Sequence, residues 1–104
     1  MANLDTIDAA GLAEEAIRAI AGRTLPHAKL VLFGSRARGD ARRRSDFDLA
    51  VFPQVGFADQ DLVRFSDALE RSSQIIYPLD IVDTRTVSAE MLKKIESEGR
   101  IWKN

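Results

Sequence analysis

Two short apolar runs, Lys29-Leu30-Val31-Leu32-Phe33 and Asp48-Leu49-Ala50-Val51-Phe52, flank a polar segment, residues 34–47, that is rich in Gly, Ser, Asp and Arg. Each run is strand-length and nearly continuous in apolar side chains, the pattern of a strand covered on both faces. Gly34 ends the first and Pro53 closes the second. Two such strands must be sheltered by other elements, so the pair already points to helices laid against a sheet.

The remaining sequence supplies those helices. Ile7, Leu12, Ala13, Ala16, Ile17, Ile20 and Ala21 recur at helical spacing, with Asp5 or Thr6 as the expected cap and Pro26 as a stop after Leu25. Leu62, Phe65 and Leu69, with Val63 and Ala68 beside them, mark a second helix over about residues 58–73. Residues 79–82, Leu-Asp-Ile-Val, read as a third strand. Ser88 suits the cap of a last helix with Met91, Leu92 and Ile95 inward and Gly99 as its stop. The segment 34–47 reads as a loop with room for one helical turn. The expected fold class is therefore α/β (α+β): one domain over residues 1–104, with helices packed on a small mixed sheet of three or four strands.

Composition narrows the function classes. At 104 residues the chain supports one core, and 45% hydrophobic with 30% charged residues is a globular balance. It has no cysteine, which excludes disulfides and thiolate metal sites and fits a reducing cytoplasm. The N-terminus does not read as a signal peptide, and no apolar stretch approaches the roughly 20 residues that span a bilayer, so no membrane role and a cytoplasmic location are expected. The net charge is −1, yet Arg36, Arg38, Arg42, Arg43 and Arg44 crowd one segment. That suits a compact polyanion such as a triphosphate. Direct nucleic-acid binding is not expected, because the cluster lacks interleaved aromatics.

The chemistry lies in residues 34–48. Asp46 and Asp48 are two apart at the entry to a strand, where side-chain alternation places both carboxylates on one face. Like charges side by side repel, and a divalent cation with oxygen ligands removes the conflict. Gly34-Ser35 directly follows the first strand. A glycine there admits a phosphate close to the backbone, and the serine hydroxyl and nearby N–H groups can donate to it. Asp80 is a charge among apolar strand residues, costly unless it has a partner, and a metal shared with Asp46 and Asp48 would supply one.

The stretch from Gly34-Ser35 through Ala37 and Gly39 to Ser45-Asp46-Phe47-Asp48-Leu49 closely resembles the signature of the polymerase-β-like minimal nucleotidyltransferases. These are the MNT domains, often antitoxin partners of HEPN toxins. The order of elements, the downstream aspartate and the ending from Ile95 to Trp102 share the resemblance. It implies a polymerase-β-like nucleotidyltransferase fold and transfer of a nucleoside monophosphate, AMP from ATP foremost, to a hydroxyl on a partner HEPN toxin, in the manner of a type VII antitoxin. It implies that Gly34 and Ser35 hold the β- and γ-phosphates; Arg36, Arg38 and Ser45 are further nucleotide-binding candidates beside them. It implies that Asp46 and Asp48 bind two Mg²⁺ ions, and that Asp80 helps bind one and accepts the acceptor's proton. Members often carry proline before Ser-Asp, where this chain has Arg42-Arg43-Arg44.

Other motifs fail. Gly34 to Gly39 has Walker-like spacing, but Asp40 stands where a P-loop needs lysine. The single histidine, His27, excludes a Ser-His-Asp triad and reads as structural. Trp102, Phe65 and Met91 read as core or interface. Two alternatives stay open: a module that neutralises a toxin by binding alone, and transfer to a small molecule or an RNA end.

Overall fold

The computed structural model describes residues 8–104. The expected caps Asp5 and Thr6, and the apolar Ile7, lie outside the described residues. Within them Asp8 caps the first helix, α1 (Ala9–Thr24), accepting from the Gly11 N–H at 2.9 Å. The helix ends one residue before Leu25, whose N–H still reaches the Ala21 carbonyl, and Pro26 prevents another turn.

The other elements are β1 (Ala28–Phe33), the four-residue α2 (Ser35–Arg38), β2 (Phe47–Pro53), α3 (Asp59–Arg71), β3 (Leu79–Asp83), α4 (Ala89–Glu98) and β4 (Arg100–Lys103). The sheet order is β3-β2-β1-β4. β1 runs antiparallel to both β2 and β4, while β2 and β3 are parallel. A parallel pair needs a long crossover, and α3 supplies it.

The two faces of the sheet are covered unequally. On one, Leu30, Leu32, Leu49 and Val51 meet Ile17, Ile20 and Leu25 at α1 and Phe65 and Leu69 of α3, with Trp102 closing the edge. Phe65, Ile17, Leu25, Leu30 and Leu49 are fully buried there. On the other face Val31, Phe33 and Ala50 are covered by Ile95 of α4. This second layer is the smaller of the two.

Several sequence expectations need correction. Met91 is 39% exposed and Leu12 45% exposed, because α4 and α1 each turn a narrower stripe to the sheet than their apolar residues suggested. Gly99 follows α4 as expected, but its φ is −69°, so left-handed freedom is not the reason for glycine. A Cβ there would strike the Val31 side chain and the Ile95 carbonyl. β4 is a strand that residue spacing does not mark. It is four residues long, and it is held as an edge partner of β1. Ser88 caps α4 as expected, accepting from the Met91 N–H at 3.1 Å. Among the described residues no helix is long and apolar enough to cross a membrane.

Candidate active site

β1 and β2 pair so that Phe33 lies opposite Asp48. Gly34, the next residue, turns sharply with φ +76° and ψ −159°. That backbone region suits only glycine without strain. Space imposes the same choice, since a Cβ on Gly34 would collide with the Asp48 carboxylate. The glycine of the turn and the aspartate of β2 are therefore in direct contact. Ser35 opens α2, which closes on itself through N–H groups of Ala37 and Arg38 donating to the Gly34 carbonyl, and ends at Gly39 with φ +86°.

On the far side of β2, the parallel register sets Asp48 opposite Asp80. Adjacent strands lie about 4.8 Å apart, so the two carboxylates are neighbours on one face. The Asp48 carboxyl is pushed above the usual carboxylate range, first by burial and then by the negative charges of Asp80 and Asp46. Arg38 and Lys94 act in the opposite direction, without cancelling it.

The other expected residues are placed less simply. Asp46 sits one position before β2 and is exposed, so strand alternation does not orient it. Asp80 is exposed as well, on an edge strand. Desolvation therefore does not demand a partner for Asp80; what singles it out is its register with Asp48. Among the described residues, as the side chains stand, no three His, Cys, Asp or Glu groups are gathered into a metal cage.

Arg36 is committed to the loop. Its guanidinium donates through Nε and Nη2 to the Ser45 carbonyl at 3.0 and 2.8 Å, and stacks at 4.3 Å over Phe47 and 4.6 Å over Tyr77. The Ser45 hydroxyl accepts from the Arg42 N–H at 2.7 Å, closing a turn over residues 42–45. Arg36 and Ser45 thus hold the segment that delivers Asp46. Arg38 is exposed and pairs with Asp40 at 3.3 Å and with Glu98 of α4 at 3.1 Å. Both pairings raise its already high pKa, the Asp40 hydrogen bond most.

Sequence reasoning missed the contribution of α4. Lys94 and Glu98 are one helical turn apart and flank Ile95, which packs on the carboxylate face of the sheet. Their spacing is legible. That α4 lies on that face is a tertiary fact.

Together the residues offer a tight glycine turn beside a half-buried carboxylate, a second carboxylate in register with it, and two cations, Arg38 and Lys94, whose charge acts on the first. Such an arrangement suits a polyphosphate bridged to carboxylates by divalent cations. The profile of the family described as polymerase beta, nucleotidyltransferase, matches residues 15–103. Among solved structures, a candidate minimal nucleotidyltransferase is similar at 31% identity and TM-score 0.67, covering 91% of this chain and 96% of its own. A toxin–antitoxin structure with AMP-PNP is similar at 24% identity and TM-score 0.67, over 86% of this chain and 71% of the other. A complex of a tri-AMPylated HEPN toxin with its MNT antitoxin, from Shewanella oneidensis, is similar at 22% identity and TM-score 0.62, over 88% and 70%. A comparison with curated proteins gave no match.

Proposed function

The chain belongs to the polymerase-β-like nucleotidyltransferase family, and from that premise we propose that it transfers a nucleoside monophosphate, AMP from ATP foremost, to a hydroxyl of a partner HEPN-type toxin. The observation that carries the reading is the line Gly34–Asp48–Asp80 across the ends of three adjacent strands, which sets a glycine turn and two carboxylates side by side. The similar structures support the donor and the partner by what they contain: AMP-PNP in one, and an AMPylated HEPN toxin in another.

In this reading Gly34 and Ser35 receive the β- and γ-phosphates. Asp48 and Asp80 would hold Mg²⁺, with Asp46 completing the oxygen set by a side-chain rotation available to an exposed residue. Bound there, the cation supplies positive charge to the transferring phosphoryl group and to the departing pyrophosphate. The acceptor oxygen forms its bond to the α-phosphorus while the bond from that phosphorus to the bridging oxygen breaks. Pyrophosphate leaves on the Gly34 side, and the acceptor's proton passes to the Asp80 carboxylate. Arg38, shared between Asp40 and Glu98, already acts on the Asp48 charge and would act on the departing charge as well.

The test is label transfer from α-labelled ATP, with Mg²⁺, to the protein encoded beside this chain. Label that appears with the wild type and vanishes with Asp46→Asn supports the proposal; label that persists in the variant overturns the mechanism. A second reading, neutralisation by complex formation alone, draws on the similar solved structures being toxin–antitoxin complexes. Neutralisation that survives Asp46→Asn combined with Asp48→Asn would select it.

A further inference from the structure

The segments that lead into Asp46 and Asp80 enclose a cleft of about 460 Å³. It is lined by Ala9 at the start of α1, Arg43 and Arg44 from the loop before β2, and Ile76, Tyr77 and Pro78 from the loop before β3. The two loops are joined where the Phe47 N–H donates to the Pro78 carbonyl at 3.0 Å, so the cleft lies at the same end of the sheet as the carboxylates, the cleft on the α1 side and Asp48 and Asp80 on the α4 side.

Its surface has two unspent properties. Ile76 is 71% exposed, a large apolar side chain with nothing of the described residues over it. Arg43 and Arg44 are exposed, and among the described residues neither guanidinium forms an ion pair. Among the described residues no carboxylate lines the cleft. Of the other arginines of this segment, Arg36 and Arg38 are engaged with Ser45, Asp40 and Glu98, and Arg42 does not line the cleft.

Position indicates which substrate this surface serves. An in-line displacement puts the incoming and leaving oxygens on opposite sides of the phosphorus. Across the sheet end the order is Gly34, Asp48, Asp80. If the leaving pyrophosphate lies by Gly34, the acceptor arrives from the β3 side, where residues 76–78 form the cleft wall. We propose that this cleft docks an acidic, apolar-anchored segment of the acceptor polypeptide, its carboxylates on Arg43 and Arg44 and its apolar side chain on Ile76 and Tyr77. The direction of approach rests on the nucleotidyltransferase reading; the charge and apolar complementarity do not.

Fluorescence anisotropy with a labelled synthetic peptide tests it. The peptide alternates glutamate and leucine around one tyrosine, and a control carries lysine for glutamate. The acidic peptide is expected to bind and the lysine peptide not. Arg43→Glu with Arg44→Glu should weaken the acidic peptide at least about tenfold and restore binding of the lysine peptide. Ile76→Ser should weaken the acidic peptide severalfold, and neither variant should alter stabilisation by Mg²⁺-ATP. Equal binding of the two peptides, or of wild type and charge-reversed protein, overturns the proposal. Loss of Mg²⁺-ATP stabilisation in the charge-reversed variant also overturns it, by assigning the cleft to the nucleotide. Absence of Mg²⁺-ATP stabilisation in the wild type instead speaks against the nucleotidyltransferase reading, and leaves the peptide comparison to decide the cleft.

Discussion

Asp48 of β2 and Asp80 of β3 are register partners in a parallel pair, one half-buried and the other exposed at the sheet edge. Like charges directly opposite one another destabilise a sheet. In the absence of a cation the pair weakens the fold, so the residues that serve the reaction should be separable from those that serve stability.

Asp48→Asn should therefore raise the melting temperature of the cation-free protein. Relief of one opposed charge pair is about 0.5 kcal/mol, or roughly 2–4 °C for a domain of this size. The same variant should lower transfer by about a thousandfold, the worth of several kcal/mol of lost charge stabilisation. Adding Mg²⁺ with ATP should stabilise the wild type, reversibly with a chelator, and leave the variant unmoved. Thermal melts with and without cation, beside label transfer, check all three; a lower melting temperature in the variant would contradict the opposed-charge account.

Arg36→Lys should loosen the loop that carries Asp46. Lysine cannot reproduce two donors to the Ser45 carbonyl and a planar stack on Phe47 and Tyr77. The expected loss is about 1.5 kcal/mol, a fall of roughly 6–12 °C. Transfer should fall as well, because Ser45 and Asp46 are adjacent. Melting that matches wild type would show that the stack contributes nothing.

Gly34→Ala should damage both fold and activity. The substitution forces an L-residue to φ +76° and drives its Cβ into the Asp48 carboxylate. The strain costs about 1–3 kcal/mol, readable in chemical denaturation. Nucleotide stabilisation should be lost even at temperatures where the variant remains folded.

Asp83 gives the expected pH dependence. Its carboxyl is held below the usual carboxylate range, mainly by the Arg85 side-chain hydrogen bond. Arg85 Nη2 lies 2.8 Å from Asp83 and 2.9 Å from Asp59, tying the end of β3 to the start of α3. A depressed carboxyl pKa contributes stability that is present above the unfolded value near 3.8 and is lost as pH falls through the folded value. Asp83→Asn should lower the melting temperature at neutral pH and flatten its decline in acid. A decline as steep as wild type would assign acid sensitivity to other carboxylates.

Much of this was legible in residue order. The runs 29–33 and 48–52 became β1 and β2 almost to the residue, because a short apolar run bounded by Gly34 and Pro53 has few other solutions. The helical stripe of Phe65 and Leu69 likewise fixed the buried face of α3. Gly34, Ser35, Asp46, Asp48 and Asp80 could be singled out because unusual side chains stand where strands begin and end.

Which of those residues touch was not legible. The contact between Gly34 and the Asp48 carboxylate, and the register of Asp48 with Asp80, depend on how three separate segments align. Alignment is set by side-chain packing on both faces of the sheet, not by spacing along the chain. The same holds for Arg36, which local sequence allowed as a phosphate ligand, and which tertiary packing set on Phe47, Tyr77 and Ser45. Local chemistry determined the elements and the candidate residues; long-range packing alone decided which side chains meet, since contact across strands is a property of the folded sheet.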